Sequence, residues 1–134
     1  MTPQVGGTVV RTDGAPSAIG PYVQGRTGVL SGRWIATSGQ IGLDPGTGAL
    51  VPGGIVAETE RSIQNLEAIL AAAGATLADV VKTTVFLADM AEFGAMNEAY
   101  ARRFPDPKPA RTTIAARELP RSSRVEIEAW ALIA

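Results

Sequence analysis

Any chemistry in this sequence has to be done without imidazole or thiol, because its 134 residues include no histidine and no cysteine. That removes serine–histidine triads, cysteine nucleophiles, imidazole acid–base pairs, cysteine–histidine zinc sites and disulfide scaffolds. What remains is carboxylates, arginine and lysine, hydroxyls, amides, backbone groups and water. The glycines do not fit a phosphate-binding pattern of either common kind, and no metal-ligand spacing occurs. Two places still draw notice. Ala15-Pro16-Ser17-Ala18-Ile19-Gly20-Pro21-Tyr22 is a stretch in which two prolines and a glycine restrict a loop that delivers Tyr22. Near the C-terminus, strand alternation sets Glu126, Glu128, Trp130 and Leu132 on one face. On residue types alone these features point to a small-ligand site and no further.

The charge balance narrows the partners. Twelve basic and 13 acidic residues leave a net charge of −1, which argues against a nucleic-acid binder that must neutralise phosphates. A local basic patch is conceivable around Arg102, Arg103, Lys108 and Arg111. No apolar run approaches the roughly 20 residues of a membrane span. The opening MTPQVGGTVVRTDG has no charged start followed by an apolar block, so it does not read as a secretory signal. A soluble, cytoplasmic protein with no membrane partner is the default expectation.

Residues of these types need a scaffold to hold them. The length is that of one domain spanning residues 1–134, and 46% hydrophobic with 19% charged residues suits a packed core. About two-thirds of the unfolded surface can be buried at this size, so no disulfide or metal staple is required. Residues 1–7 are expected to fray. Strands are expected at 8–11, 23–26 and 34–41, then a Gly- and Pro-rich loop over 44–54. A helix follows over 55–73, with Val56, Ile63, Leu66, Leu70 and Ala73 as its apolar stripe and Gly74 as its stop. VVKTTVFL (80–87) reads as a strand. Asp89 and Glu92 open a second helix with the stripe Phe93, Met96, Tyr100 and Phe104, ended by Pro105, Pro107 and Pro109. Strands at 111–117 and 125–133 close the chain. The expected class is α/β (α+β): a mixed sheet, part of it parallel, with two helices on one face.

The last strand adds an expectation about assembly. Val125, Ile127, Ala129, Ala131 and Ile133 suit burial under helices, whereas the opposite face mixes carboxylates with Trp130 and Leu132. Exposed apolar surface of that kind marks association, so the helix-free face is expected to pack against other subunits.

Six segments occur in a fixed order: IGPYVQG (19–25), TSGQI (37–41), VVKTTVFLADM (80–90), PAR (109–111), LP (119–120) and VEIEA (125–129). Together, over nearly the whole chain, they resemble the Rid family, also called the YjgF/YER057c/UK114 family of reactive-intermediate deaminases. The resemblance implies a chorismate-mutase-like fold, a homotrimer with ligand clefts between subunits, no cofactor, and hydrolysis of reactive 2-imino acids or their enamine tautomers to 2-oxo acids. It implies that Arg111 binds the substrate carboxylate, for which a planar bidentate guanidinium is suited. Glu126 matches the glutamate at the imine end, where a carboxylate can hold water or move a proton; alternation alone does not choose between Glu126 and Glu128. Tyr22 matches a cleft wall, Ser38 and Gly39 a segment lining the site, and Asn97 a cleft asparagine. Thr113 stands where many members carry cysteine, and Lys108 where an aromatic is common. Two other functions remain open from the sequence: a non-catalytic trimer that binds 2-oxo acids, and a ribonuclease, which the missing histidine and slightly acidic charge disfavour.

Overall fold

The computed structural model describes residues 8–29 and 31–134; the fraying expected of residues 1–7 lies outside the described residues. In chain order the strands are β1 (Thr8–Val10), β2 (Gly25–Thr27) and β3 (Arg33–Ala36), then helix α1 (Gly54–Ala72), β4 (Val80–Leu87), helix α2 (Phe93–Arg103), β5 (Ala110–Ala115) and β6 (Val125–Ile133). β1 and β2 form a separate antiparallel ribbon. The other four make a mixed sheet in the order β3-β6-β4-β5, with β4 and β5 parallel and β6 antiparallel to both neighbours. The parallel pair is joined through α2, because parallel neighbours need a crossover that returns the chain to the same edge.

Both helices cover one face. Ile63, Leu66 and Leu70 of α1 and Met96, Tyr100 and Phe104 around α2 pack against Val85 and Leu87 of β4 and against Val125, Ile127, Ala129 and Ala131 of β6. The alternation expected for the last strand is therefore present, and its opposite face carries Glu126, Glu128 and an exposed Trp130 that lies 5.7 Å from the ring of Trp34. Gly74 stops α1 in a left-handed conformation (φ 85°). Its N–H bonds Ala71 O and that of Ala75 bonds Leu70 O, satisfying carbonyls at the helix end.

Several local expectations change; β1 ends at Val10 instead of residue 11, and β5 spans Ala110–Ala115 where 111–117 was expected. The stripe of α1 is rotated at its start: Ile55 is buried and Val56 is exposed. Polar bonds set this orientation, since Ser62 Oγ donates to Gln40 O (2.6 Å), Asn65 Nδ2 to Ile41 O and Leu43 O, and Glu58 Oε1 accepts from Arg124 N (2.9 Å). A count of apolar positions misses such anchors. The strand expected over 34–41 stops at Ala36. Thr37 N bonds Ala129 O and Gln40 N bonds Ile127 O, so three steps on one chain oppose two on β6 and Ser38–Gly39 bulges out. The second strand is Gly25–Thr27 rather than 23–26, with Val23 making a single parallel bridge to Ala110.

Candidate functional site

Arg111 and Thr113 are two residues apart on β5 and point the same way. Their partners on β4 are Thr83 and Val85, both buried under the helices, so this is the helix-covered face. At the edge of the sheet the loop before β2 folds back over them. The result is a pocket of about 290 Å³ lined by Ile19, Tyr22, Met90, Phe93, Arg111 and Thr113. Met90 comes from the 3-10 turn Met90–Glu92 before α2, which Asp89 caps by accepting from Ala91 N at Oδ1 (2.9 Å); Phe93 is the first residue of α2.

Arg111 is only 9% exposed, yet Nη1 and Nη2 have no hydrogen-bond partner among the described residues. Aromatic rings surround its guanidinium instead: the carbon lies 4.9 Å from the Tyr100 ring centroid, 5.2 Å from Tyr22 and 5.6 Å from Phe93. Ring faces attract a cation but leave its N–H groups unsatisfied. Burial pulls the guanidinium below its ordinary pKa, and Tyr100 and Tyr22 act in the opposite direction; an arginine still keeps its proton. Asn97 stands beside it. A methyl group placed on Gly20 would meet Tyr22 Cε1 at 3.3 Å and both Arg111 Nη2 and Asn97 Nδ2 at 3.5 Å, so these four residues converge. Asn97 Oδ1 and Thr113 Oγ1 are likewise buried without a partner. Buried polar atoms are normally bonded. A cluster of unmet donors and acceptors beside a pocket is a place for a polar ligand, with Arg111 suited to a carboxylate.

Tyr100 supports this arrangement from beneath. Its hydroxyl shares a 2.7 Å hydrogen bond with Thr83 Oγ1. Burial pushes its pKa up from 10.0 to about 12, against smaller lowering by Thr83 and Arg111. The neutral phenol is thus favoured in the fold. Stability from this group is complete below pH 10 and is lost as pH rises toward 12, where the unfolded chain releases a proton that the folded one retains. Denaturant titrations at stepped alkaline pH, with tyrosinate absorbance, are expected to show stability falling in that window and one phenol ionising near its upper end. A flat profile there would contradict the burial of Tyr100.

Ser38, Gly39 and Glu126 lie elsewhere. Glu126 pairs with Phe86 across β6 and β4, on the helix-free face, and the Ser38–Gly39 bulge presses on it closely enough that a methyl group on Gly39 would overlap Glu126 Oε2. Glu128 shares this face, opposite Thr84. The chain therefore carries two groups on opposite faces of the sheet: Tyr22, Asn97, Arg111 and Thr113 on one, Ser38, Gly39 and Glu126 on the other.

Sequence reasoning missed Ile19, Met90, Phe93 and Tyr100 as surroundings of Arg111. A signal existed for two of them, because Phe93, Asn97 and Tyr100 fall at i, i+4 and i+7 on one face of α2.

The family model described as Endoribonuclease L-PSP matches residues 12–133, and a mouse protein named 2-iminobutanoate/2-iminopropanoate deaminase is 52% identical over 124 residues, which is 92% of this chain and 90% of that one. The chain belongs to the Rid family. A human protein of the same name is 48% identical over 92% of this Rid chain and 88% of its own length. Among solved structures, a putative endoribonuclease from Thermotoga maritima superposes with a TM-score of 0.73 at 48% identity, covering 95% of this chain and 98% of that one. TdcF of E. coli with bound serine gives 0.72 at 36% identity, covering 95% and 99%. These neighbours share the chorismate-mutase-like Rid fold expected from the sequence.

Lys108, one of the departures from the family pattern, has a local role. Its Nζ donates to Ala101 O (2.9 Å) and to Phe104 O, covering carbonyls at the C-terminal end of α2 where a cation is favoured. It does not line the pocket. No group of three or more His, Cys, Asp and Glu side chains that could hold a metal gathers among the described residues, and none of their helices is long and apolar enough to cross a membrane.

Proposed function

We propose that this Rid protein hydrolyses small 2-imino acids, such as 2-iminobutanoate and 2-iminopropanoate, to 2-oxo acids and ammonia. The reading includes a single domain, a homotrimer, clefts between its subunits, and the cytoplasm as the compartment. The observation that carries it is the buried Arg111 guanidinium with both terminal nitrogens unpartnered at a pocket. The names of the mouse and human relatives agree with it.

Arg111 binds the carboxylate through two parallel N–H···O bonds, which orients the adjacent imine carbon. Tyr22 and Phe93 wall the ligand, and Ile19 and Met90 leave an apolar side for a short alkyl group. Thr113 Oγ1 and Asn97 Oδ1 offer bonds to the imine end. Glu126 comes from a neighbouring copy, which answers its position on the far face of its own sheet. It holds a water against the imine carbon and takes a proton as the C–O bond forms. That proton passes to nitrogen and gives the carbinolamine. Its hydroxyl proton is then moved to nitrogen through the Glu126 carboxylate as the C–N bond breaks and the C=O bond forms, so ammonia leaves and one water is consumed for each ammonia released. Gly39, packed against the Glu126 carboxylate, keeps it in place, and Ser38 beside it lines the same end of the cleft.

Trapping with semicarbazide tests this. An amino-acid oxidase generates the imine, and the protein is expected to reduce semicarbazone formation in proportion to its concentration. An unchanged rate, together with saturable binding of 2-oxobutanoate, would replace the enzyme with a ligand-binding trimer. RNA cleavage has no comparable support: a net charge of −1 and no histidine supply neither phosphate neutralisation nor imidazole acid–base chemistry.

A further inference from the structure

Tyr22 and Ile19 reach the pocket from the loop of residues 11–24, whose two ends are tied by the β1–β2 ribbon through the Val10–Gly25 pair. Residues 11–19 are exposed throughout, and no core side chain comes from them. Within the loop, Tyr22 Oη accepts from Ile19 N (3.2 Å), which ties the two pocket residues to each other. At its far end Val23 N reaches Pro109 O at 3.4 Å. The dense contacts belong to Gln24. Its Oε1 accepts from Thr12 N (2.7 Å), and its Nε2 donates to Thr12 O (3.0 Å), Ala15 O (3.2 Å) and Pro16 O (2.8 Å). One amide thus satisfies four backbone groups of a segment eight to twelve residues away. A chain without regular structure satisfies its backbone through such side-chain bonds or through water. Here the side chain ties residues 12–16 to the strand end of the same loop whose Tyr22 ring lies over Arg111.

We infer that Gln24 is a positioning residue for the imine site: its carboxamide clasps residues 12–16 and so holds Ile19 and Tyr22 closed over the carboxylate-binding guanidinium. It does not touch the pocket, and it acts on the fraction of molecules whose loop is closed. A ligand that binds the closed form pulls the open form back, so opening weakens apparent affinity by the closed fraction and leaves the saturated complex nearly unchanged. Gln24→Glu is nearly isosteric. It keeps the acceptor for Thr12 N but sets a carboxylate against three carbonyl oxygens. Gln24→Ala removes the bonds without the repulsion.

This inference rests on the deaminase reading, and two readouts keep their failures apart. In the trapping assay, Gln24→Glu is expected to raise KM for 2-iminobutanoate about tenfold with kcat within about twofold, and Gln24→Ala to raise it by less. In parallel, trypsin is expected to cut between Arg11 and Thr12 several times faster in both variants, with 2-oxobutanoate slowing the cut. Unchanged KM in both variants overturns the inference, even if cleavage accelerates. A fall in kcat at unchanged KM overturns it as well, because that is loss at the reacting atoms. If the wild type turns over no imine, the function fails first. The clasp then stands only if 2-oxobutanoate binding and trypsin protection weaken together in the variants.

Discussion

Arg111→Met is expected to cut deamination severely and to leave the fold as stable as before or more so. The side chain is buried, and among the described residues Nη1 and Nη2 have no hydrogen-bond partner and no acidic side chain forms an ion pair with it. Loss of the bidentate carboxylate contact should lower kcat/KM by roughly two to three powers of ten, in line with about 2–5 kcal/mol for truncating a desolvated charge pair. The opposite sign for stability comes from the free protein. Holding an uncompensated guanidinium out of water costs several kcal/mol, which three ring contacts at about 0.5–2 kcal/mol each at most offset. Methionine fills similar space with no charge to solvate. Thermal unfolding of the ligand-free variant should give a Tm equal to or above that of wild type. A Tm lower by more than about 5 °C would show that the arginine is there to hold the fold together, and the ligand argument would lose its basis.

The second large effect concerns Glu126, and it tests the assembly together with the chemistry. Glu126→Gln should lower kcat by about a hundredfold with little change in KM, the range for losing a positioned acid–base group. Gly39→Ala should do similar damage from one methyl group, because that methyl displaces the carboxylate while its backbone conformation stays ordinary. The decisive form of the experiment mixes subunits. Arg111 and Glu126 face opposite sides of one sheet, so a shared pocket needs one from each of two copies. Arg111→Ala and Glu126→Gln, each nearly inactive alone, should regain activity when co-expressed. Random mixing leaves roughly one cleft in four with both natural residues, as expected for a cyclic assembly of head-to-tail contacts. Separately purified and unexchanged variants should show no such gain. Absence of complementation in a verified mixed oligomer would mean that each site is built within one chain, or that Glu126 takes no part.

The legibility of the sequence followed the range of the forces involved. The bounds of β4 and β6 agree with the sequence reading because β-branched composition and strict alternation are written in consecutive residues. α1 agrees to within a residue for a related reason, since Gly74 is a local stop signal, whereas the Asp89 start signal caps a 3-10 turn over Met90–Glu92 and α2 itself begins at Phe93. The start of the α1 stripe, the Ser38–Gly39 bulge and the role of Lys108 could not be read in this way. Each depends on a hydrogen bond to a backbone group whose position is set by the rest of the fold. Ser62 reaches Gln40 O, Gln40 reaches Ile127 O, and Lys108 reaches the end of a helix.

The candidate site divides along the same line. By itself the sequence determined the family, through six spaced segments, and the element types. It also determined that Arg111 and Thr113 share one face of a strand while Glu126 and Glu128 share one face of another. Alternation relates residues within a strand and is silent between strands. Which face of β5 corresponds to which face of β6 follows from the pairings Thr83 with Arg111 and Phe86 with Glu126. Tertiary structure alone decided that the two groups look away from each other, and that Arg111 is enclosed by rings with its donors unmet. The cause is that register and burial are long-range quantities, set when β4 is threaded between β5 and β6 and the helices close over one side.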